Sequence, residues 1–285
     1  MTLPASPARV AGVALLAPLF AALLAVAAPA RGQGQAPLAP PSFVAGGQLA
    51  VCTDPGFAPM EFFRAPGDAQ PVGFDVDLVA ALAAAWKVGL RVLPTDFKGL
   101  LPGLESGRCG LVVSGVLLTP ARRERYDAVP YIATHTVLLA ARGAAAPSKP
   151  EDLSGKVLAV EAGTNYEKIA ADLNRALVAA GRPPATVQTY PTPQAITEQV
   201  LIGRAVAAMT QDVEAAYREG QVPGRLRIAY TYPEADRFAM FFKRVPGDAE
   251  AVRAAVSALK ADGTLGEIAR RWNLPAGALD VDPGS

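Results

Sequence analysis

The sequence predicts an α/β protein of two lobes with a ligand cleft between them. Three observations carry that expectation. Strands and helices alternate through two successive β-α-β-α-β series. Extended apolar segments, "TVLLAAR" and "RFAMFFKR", cross from the first series to the second and back. A helical tail follows the return. A chain of 285 residues is long enough for two modest lobes.

Each element has a local reason. "QLAVCTD" is a short apolar strand. "DVDLVAALAAAWKV" is a helix, because Leu78, Leu82 and Trp86 recur on one face, and Asp75 is the expected N-cap. "LRVLPTD" is a strand, "GLLPGLESGR" a short helix closed by Gly107, and "GLVVSG" the third strand. Thr119-Pro120 then opens a helix carrying Arg122, Arg123 and Arg125. In the second series Lys156 to Val160 is a buried strand. "TNYEKIAADLNRALVAAG" is a helix with a capping box from Thr164 to Glu167. "ATVQTY" is a strand, and the next helix has Thr192 as cap with Pro193 in its first turn. "AVAAMTQD" and "VEAAYREG" complete the series. Clefts at the carboxyl ends of such strands are where small ligands bind.

The first 30 residues read as an export signal. Arg9 precedes an apolar run from Val10 to Ala28, and Ala28-Pro29-Ala30 is a cleavage pattern. Residues 31–47 are rich in Gln, Gly, Ala and Pro and are expected to form a flexible leader. The formal charge is +1, and losing Arg9 with the signal leaves zero. With no basic run, the chain has no nucleic-acid footprint. The mature protein is expected to be periplasmic and soluble. Cys52 and Cys109 would meet an oxidising compartment, so a bridge is chemically allowed. Parallel pairing of their strands is expected to offset them by several positions and leave two buried thiols.

Four stretches carry a resemblance: "TDPGFAPMEF", "VGFDVDLVAALA", "DFKGLLPGLESGRCGLVVSGVLLTPAR" and "LKADGTLGEIARRW". In this order, from Gln48 to Asn273, the chain resembles the polar amino-acid-binding proteins of bacterial ABC importers, the family 3 solute-binding proteins. The resemblance implies the periplasmic-binding-protein fold with two hinge crossings. Lobe 1 would comprise residues 48–134 and 239–285, and lobe 2 residues 135–238. It implies capture of a carboxylate-bearing ligand, a polar amino acid above all, by lobe closure. It also implies delivery by a monomer to an ABC permease, with no cofactor.

Site residues follow only where this sequence matches the family. Arg122 would grip the ligand carboxylate, since a guanidinium suits it bidentately and the helix start adds N–H donors. Asp212, at a strand end in the second lobe, would face the α-ammonium, although an aspartate there also suits an N-cap. Asp54 matches the reader of the ligand side chain, and Phe57 and Phe97 match aromatic walls. Ser114 and Gly115 match strand-end contacts, and Thr164 and Asn165 match second-lobe contacts to the carboxylate. Leu117 stands where the family has Ser or Thr, which removes one acceptor for the ammonium. His135, the sole histidine, falls at the first crossing, where a ligand contact, a pH-sensitive latch or a structural role is open to it.

Two other readings compete. A periplasmic cyclohexadienyl-dehydratase-like enzyme would need a cleft acid, with Glu161 or Glu198 as candidates and a carboxyl pKa raised by burial. A binding-like protein of the quinoprotein-dehydrogenase type would keep a protein partner instead, and resembles the "VCxDP" and "GRC" stretches. Against catalysis, the sequence offers no nucleophile–His–acid set, metal-ligand cluster or Gly-rich phosphate loop.

Overall fold

A computed structural model describes residues 38–143, 145–275 and 277–284. The first series opens with β1 (Gln48–Thr53), followed by a small hairpin of β2 (Gly56–Phe57) and β3 (Glu61–Phe62). α1 (Phe74–Trp86) buries Leu78, Leu82 and Trp86, as their spacing requires. Asp75 does not cap α1. Gly73 does, at φ 139°, and a Cβ there would lie 2.1 Å from the Met60 carbonyl oxygen. Asp75 sits two positions further in and points its carboxylate into the core.

β4 (Gly89–Pro94) lies parallel to β1, pairing Gln48 with Gly89. A 3-10 turn (Phe97–Gly99) and α2 (Leu100–Glu105) return the chain to β5 (Leu111–Val112), parallel to β1 on its other side. α3 (Pro120–Arg125) is capped by Thr119, whose hydroxyl oxygen accepts the Arg122 N–H at 3.3 Å. Then comes a long strand, β6 (Asp127–Ala141).

The second series is β7 (Val157–Glu161), α4 (Tyr166–Ala179), β8 (Thr186–Tyr190), α5 (Pro193–Leu201), β9 (Ala207–Gln211) and α6 (Asp212–Gln221). The second long strand, β10 (Leu226–Phe242), precedes α7 (Asp248–Ala261) and α8 (Thr264–Arg271). The two crossings pair antiparallel and join both series in one eight-stranded sheet, ordered β4-β1-β5-β10-β6-β9-β7-β8. Thr134 pairs with Asp236 and His135 with Ala235, beside a register shift between Thr231 and Ala235. Residues 134 and 135 lie at this irregular point, and a second register shift lies between Phe238 and Ala239; extra residues at such points bend a strand pair. Phe238, Phe241 and Phe242 on β10 are fully buried, each worth about 1.5–3 kcal/mol of apolar burial.

Three further expectations meet corrections. Cys52 and Cys109 are bonded, with Cα atoms 5.7 Å apart, rather than free. The register does offset them, since Cys52 pairs with Val112. Cys109, however, lies before β5 in the turn that leaves α2, and this turn brings it back over β1. Gly103 makes the room, because a Cβ there would stand 3.3 Å from the Cys52 sulfur. The expected flexible leader is packed from residue 38 onward. Pro41 is buried, the Ser42 hydroxyl donates to Asp248 at 2.7 Å, and the Phe43 ring lies 5.3 Å from Phe242. One phenylalanine and one buried proline give this segment enough apolar surface to dock. The α4 cap is shifted by one residue. Asn165 occupies the N-cap position, Thr164 accepts the Tyr166 N–H at 3.3 Å, and Glu167 reaches back to the Gly163 N–H at 2.6 Å. The expected export signal and residues 31–37 lie outside the described residues. No helix among the described residues is long and apolar enough to cross a membrane.

Candidate ligand-binding site

The parallel strands of both series end on one cavity. Past β1 stand Asp54 and Phe57, past β4 Phe97, and past β5 Ser114, Gly115 and Leu117. The first turn of α3 adds Arg122. From the second series come Glu161 at the end of β7 and Thr164, Asn165 and Tyr166 where α4 begins. Nine of the ten residues expected from sequence thus face one space. The tenth, Asp212, is not in its lining. It lies at the first crossing, where its carboxylate accepts from the Thr134 hydroxyl at 2.6 Å and approaches His135 Nδ1 at 3.4 Å. His135 is not in the cavity lining either.

Arg122 is held from three sides. Its backbone is fixed by the Thr119 cap, Nη1 donates to the Leu117 carbonyl at 2.7 Å, and the guanidinium lies 5.9 Å from the Phe97 ring centroid. It makes no ion pair with a carboxylate of the described residues. Burial pushes its pKa down. Leu117, the residue that departs from the family pattern, serves the site through its carbonyl and through an isolated bridge to Phe238.

The walls around this cation are acidic. Asp54 donates its backbone N–H to the Ser114 hydroxyl oxygen at 2.8 Å, leaving its side chain toward the cavity. Burial raises the Asp54 carboxyl to about 6, partly offset by a hydrogen bond from the Phe97 backbone. Glu161 is 4 % exposed, and burial raises its carboxyl well above the usual range. The charges of Asp54 and Glu214 add to that rise, so Asp54 and Glu161 repel across the cavity. Glu214 itself is paired, with Arg218 Nε at 2.6 Å. Glu61, absent from the sequence expectation, is fully buried in the lining and accepts from the Ser114 hydroxyl at 3.0 Å. Tyr166 is the other residue not foreseen, a buried ring near Arg122. Glu198, one of the two acids considered for catalysis, lies outside the cavity and receives a hydrogen bond from Gln194 on the exposed face of α5.

Gly115 is where the backbone must take φ 51°, and a Cβ there would press to 2.8 Å on the Phe57 ring. Close approach of this strand end to an aromatic wall is therefore part of the site's shape. Among the described residues there is no cluster of three or more His, Cys, Asp or Glu side chains able to hold a metal ion.

With this geometry in place, comparison with known proteins is direct. The model of bacterial extracellular solute-binding proteins, family 3, matches residues 49–275. The chain belongs to this family. An arginine-binding protein, ArgT, of Corynebacterium glutamicum is 26% identical over 244 residues, covering 85% of this chain and 80% of that protein. The L-cystine-binding protein TcyJ of Escherichia coli is 24% identical, covering 79% and 82%. Among solved structures, an ancestral arginine-binding protein bound to arginine is 26% identical, with a TM-score of 0.72 over 79% of this chain and 98% of that one. An ancestral amino-acid-binding protein described as a precursor of cyclohexadienyl dehydratase is 28% identical, with a TM-score of 0.69 over 79% and 95%. This solute-binding family has the expected α/β two-lobed architecture.

Proposed function

We propose that this family 3 solute-binding protein captures an α-amino acid with a cationic side chain, arginine before the others, and hands it to an ABC permease. One observation carries the ligand class: a guanidinium without an acid partner, Arg122, shares its cavity with three carboxyl groups, Asp54, Glu61 and Glu161. A ligand that places its carboxylate on Arg122 and a cation between Asp54 and Glu161 satisfies both ends. Phe57 and Phe97 would flank its aliphatic part, and the backbone N–H groups of Ser114, Thr164 and Asn165 would complete the carboxylate shell. Asp212 is an ammonium partner only if lobe movement carries it from Thr134 toward the cavity. The names of the arginine-binding relatives agree with this reading. Export by a cleaved signal at Ala30, a periplasmic location and monomeric delivery belong to the same proposal.

Titration calorimetry of the mature chain with arginine, lysine, histidine, glutamine, cystine and glutamate tests it. Basic amino acids should bind most tightly and glutamate most weakly. Tightest binding of glutamate sinks the ligand assignment. The enzyme alternative has one supporting feature, the buried Glu161 carboxyl in the cavity. Incubation with prephenate separates it, since turnover requires catalysis and reversible capture gives none.

A further inference from the structure

Beneath the cavity lie two buried carboxyl groups whose hydrogen bonding does not close if both are ionised. Glu61 Oε1 accepts from Ser114, and Asp75 Oδ2 accepts from the Gly115 N–H at 2.9 Å and from the Tyr131 hydroxyl at 2.7 Å. The other two oxygens, Glu61 Oε2 and Asp75 Oδ1, are buried with no donor. The two carboxyl groups are near enough for each to act on the other's ionisation. A carboxylate pair has no proton to place in that contact, whereas one shared proton satisfies both orphan atoms.

We propose that Glu61 and Asp75 share one proton, and that this acid pair is a positioning device for the ligand-facing strand end at Ser114 and Gly115. The proposal rests on the cavity being the ligand site. Glu61 holds the Ser114 hydroxyl, which in turn accepts the Asp54 N–H, while Asp75 holds the neighbouring Gly115 N–H. One proton thus fixes the strand end and the entry to the Asp54 loop together. The titratable groups facing the pair are Asp54 from the end of β1 and Tyr131 from β6, and no lysine, arginine or histidine acts on it among the described residues. Asp54 disfavours a negative charge on Glu61, and so does burial, which pushes Glu61 well above the usual carboxylate range, whereas the Tyr131 hydroxyl and the Gly115 N–H donate to Asp75 and favour its ionised form, so the single proton rests on the Glu61 side.

The experiment has two arms. Infrared difference spectra of ligand-free wild type against Glu61→Gln at pH 7.5 should show a protonated carboxyl C=O stretch in the wild type alone. Without that band the proposal fails, whatever binds in the cavity. Arginine titrations over alkaline pH form the second arm. Wild-type affinity should fall about tenfold per pH unit once the shared proton leaves, and Glu61→Gln, whose amide is a permanent donor to Asp75, should lose this limb. Glu61→Leu, which removes the donor, should bind at least tenfold more weakly than Glu61→Gln. Equal affinities of the two variants, or an unchanged limb in Glu61→Gln, overturn the positioning role. Should Glu61→Gln not fold, Asp75→Asn replaces it in the infrared arm, with the same band expected to vanish. A band with no arginine binding would leave the pair standing and remove the ligand reading instead.

Discussion

Arginine affinity should fall as pH drops from 7 to 5, with Asp54 as the group responsible. Its carboxyl is raised to about 6 from an ordinary 3.8 because it is buried without a cation beside it. If the ligand cation binds only the ionised form, the apparent dissociation constant carries a factor of 1 + 10^(pKa − pH). That factor is close to one at pH 7 and about eleven at pH 5, a tenfold loss. Calorimetry in two buffers of different ionisation enthalpy also counts protons, and about half a proton should leave per arginine bound near pH 6. The stability side has a definite sign. A raised folded-state pKa stabilises the protein below the unfolded value, near 3.8, and that contribution is lost as pH rises through about 6. A shift of roughly two units corresponds to about 3 kcal/mol, so the ligand-free protein should lose up to that much between pH 4 and 7 on this residue's account. Asp54→Asn should remove both effects. Arginine affinity that stays level from pH 7 to 5 in the wild type would refute the placement of a cation at Asp54.

Four other outcomes are expected. Arg122→Ala should weaken arginine binding by about 2–5 kcal/mol, roughly 30- to 4000-fold in dissociation constant, because it leaves the ligand carboxylate unpaired in a closed site. Calorimetry within threefold of wild type would reassign the carboxylate contact. Reduction of the Cys52–Cys109 bridge, which closes a loop of sequence separation 57, should cost about 4 kcal/mol and lower the melting midpoint by about 8–16 °C in calorimetric scans. Gly115→Ala should lower the melting midpoint and weaken arginine binding about tenfold, since the added Cβ displaces Phe57. Finally, X-ray scattering of the ligand-free chain should show a smaller radius of gyration at pH 5 than at pH 7.5, as Asp54 and Glu161 cease to repel, and Asp54→Asn should show less of this change.

Much of the fold was legible because each element announces its own geometry. The stripe of Leu78, Leu82 and Trp86 needs a helix, and Thr119-Pro120 and Thr192-Pro193 mark helix starts that their hydroxyls do cap. Strand ends were legible too, which is why Asp54, Ser114, Gly115, Arg122 and Thr164 reach one cavity. What sequence concealed depends on contacts between distant segments. Asp75 looks like a cap because it opens a helical pattern, but Gly73 takes the entry and frees the carboxylate for Gly115 and Tyr131. Glu61 hides in "PMEF", where a lone acid between apolar residues resembles a surface position of a hairpin. Its value comes from Ser114, 53 residues away. The disulfide is hidden from strand register, which offsets the two cysteines, because the turn after α2 carries Cys109 back toward Cys52. Asp212 was placed correctly at a strand end, yet β9 pairs with the crossing β6, so its side chain meets Thr134 and His135 rather than the cavity.

The division of charge between the two halves bears on how capture is coupled to closure. The first series supplies Arg122 and Asp54, and the second supplies Glu161, Thr164, Asn165 and Tyr166. Neither half by itself surrounds a ligand that carries both charges. Bringing the halves together without a cation sets Asp54 against Glu161, and this repulsion opposes the closed form. A ligand shifts an open–closed equilibrium only through the difference in its interactions with the two forms. A cation between the two carboxyl groups supplies such a difference twice, removing their repulsion and adding an attraction to each. Thr134, Thr136, Gln211, Asp212 and Asp236 form a hydrogen-bonded network at the irregular point of β6 and β10, and on the proposed reading a movement of the halves would have to rearrange it. Neutral amino acids of the same length would gain contacts with the aromatic walls but leave the repulsion in place. On this argument discrimination between arginine and its neutral analogues comes from closure itself, and the penalty for the wrong ligand is a cleft that stays open.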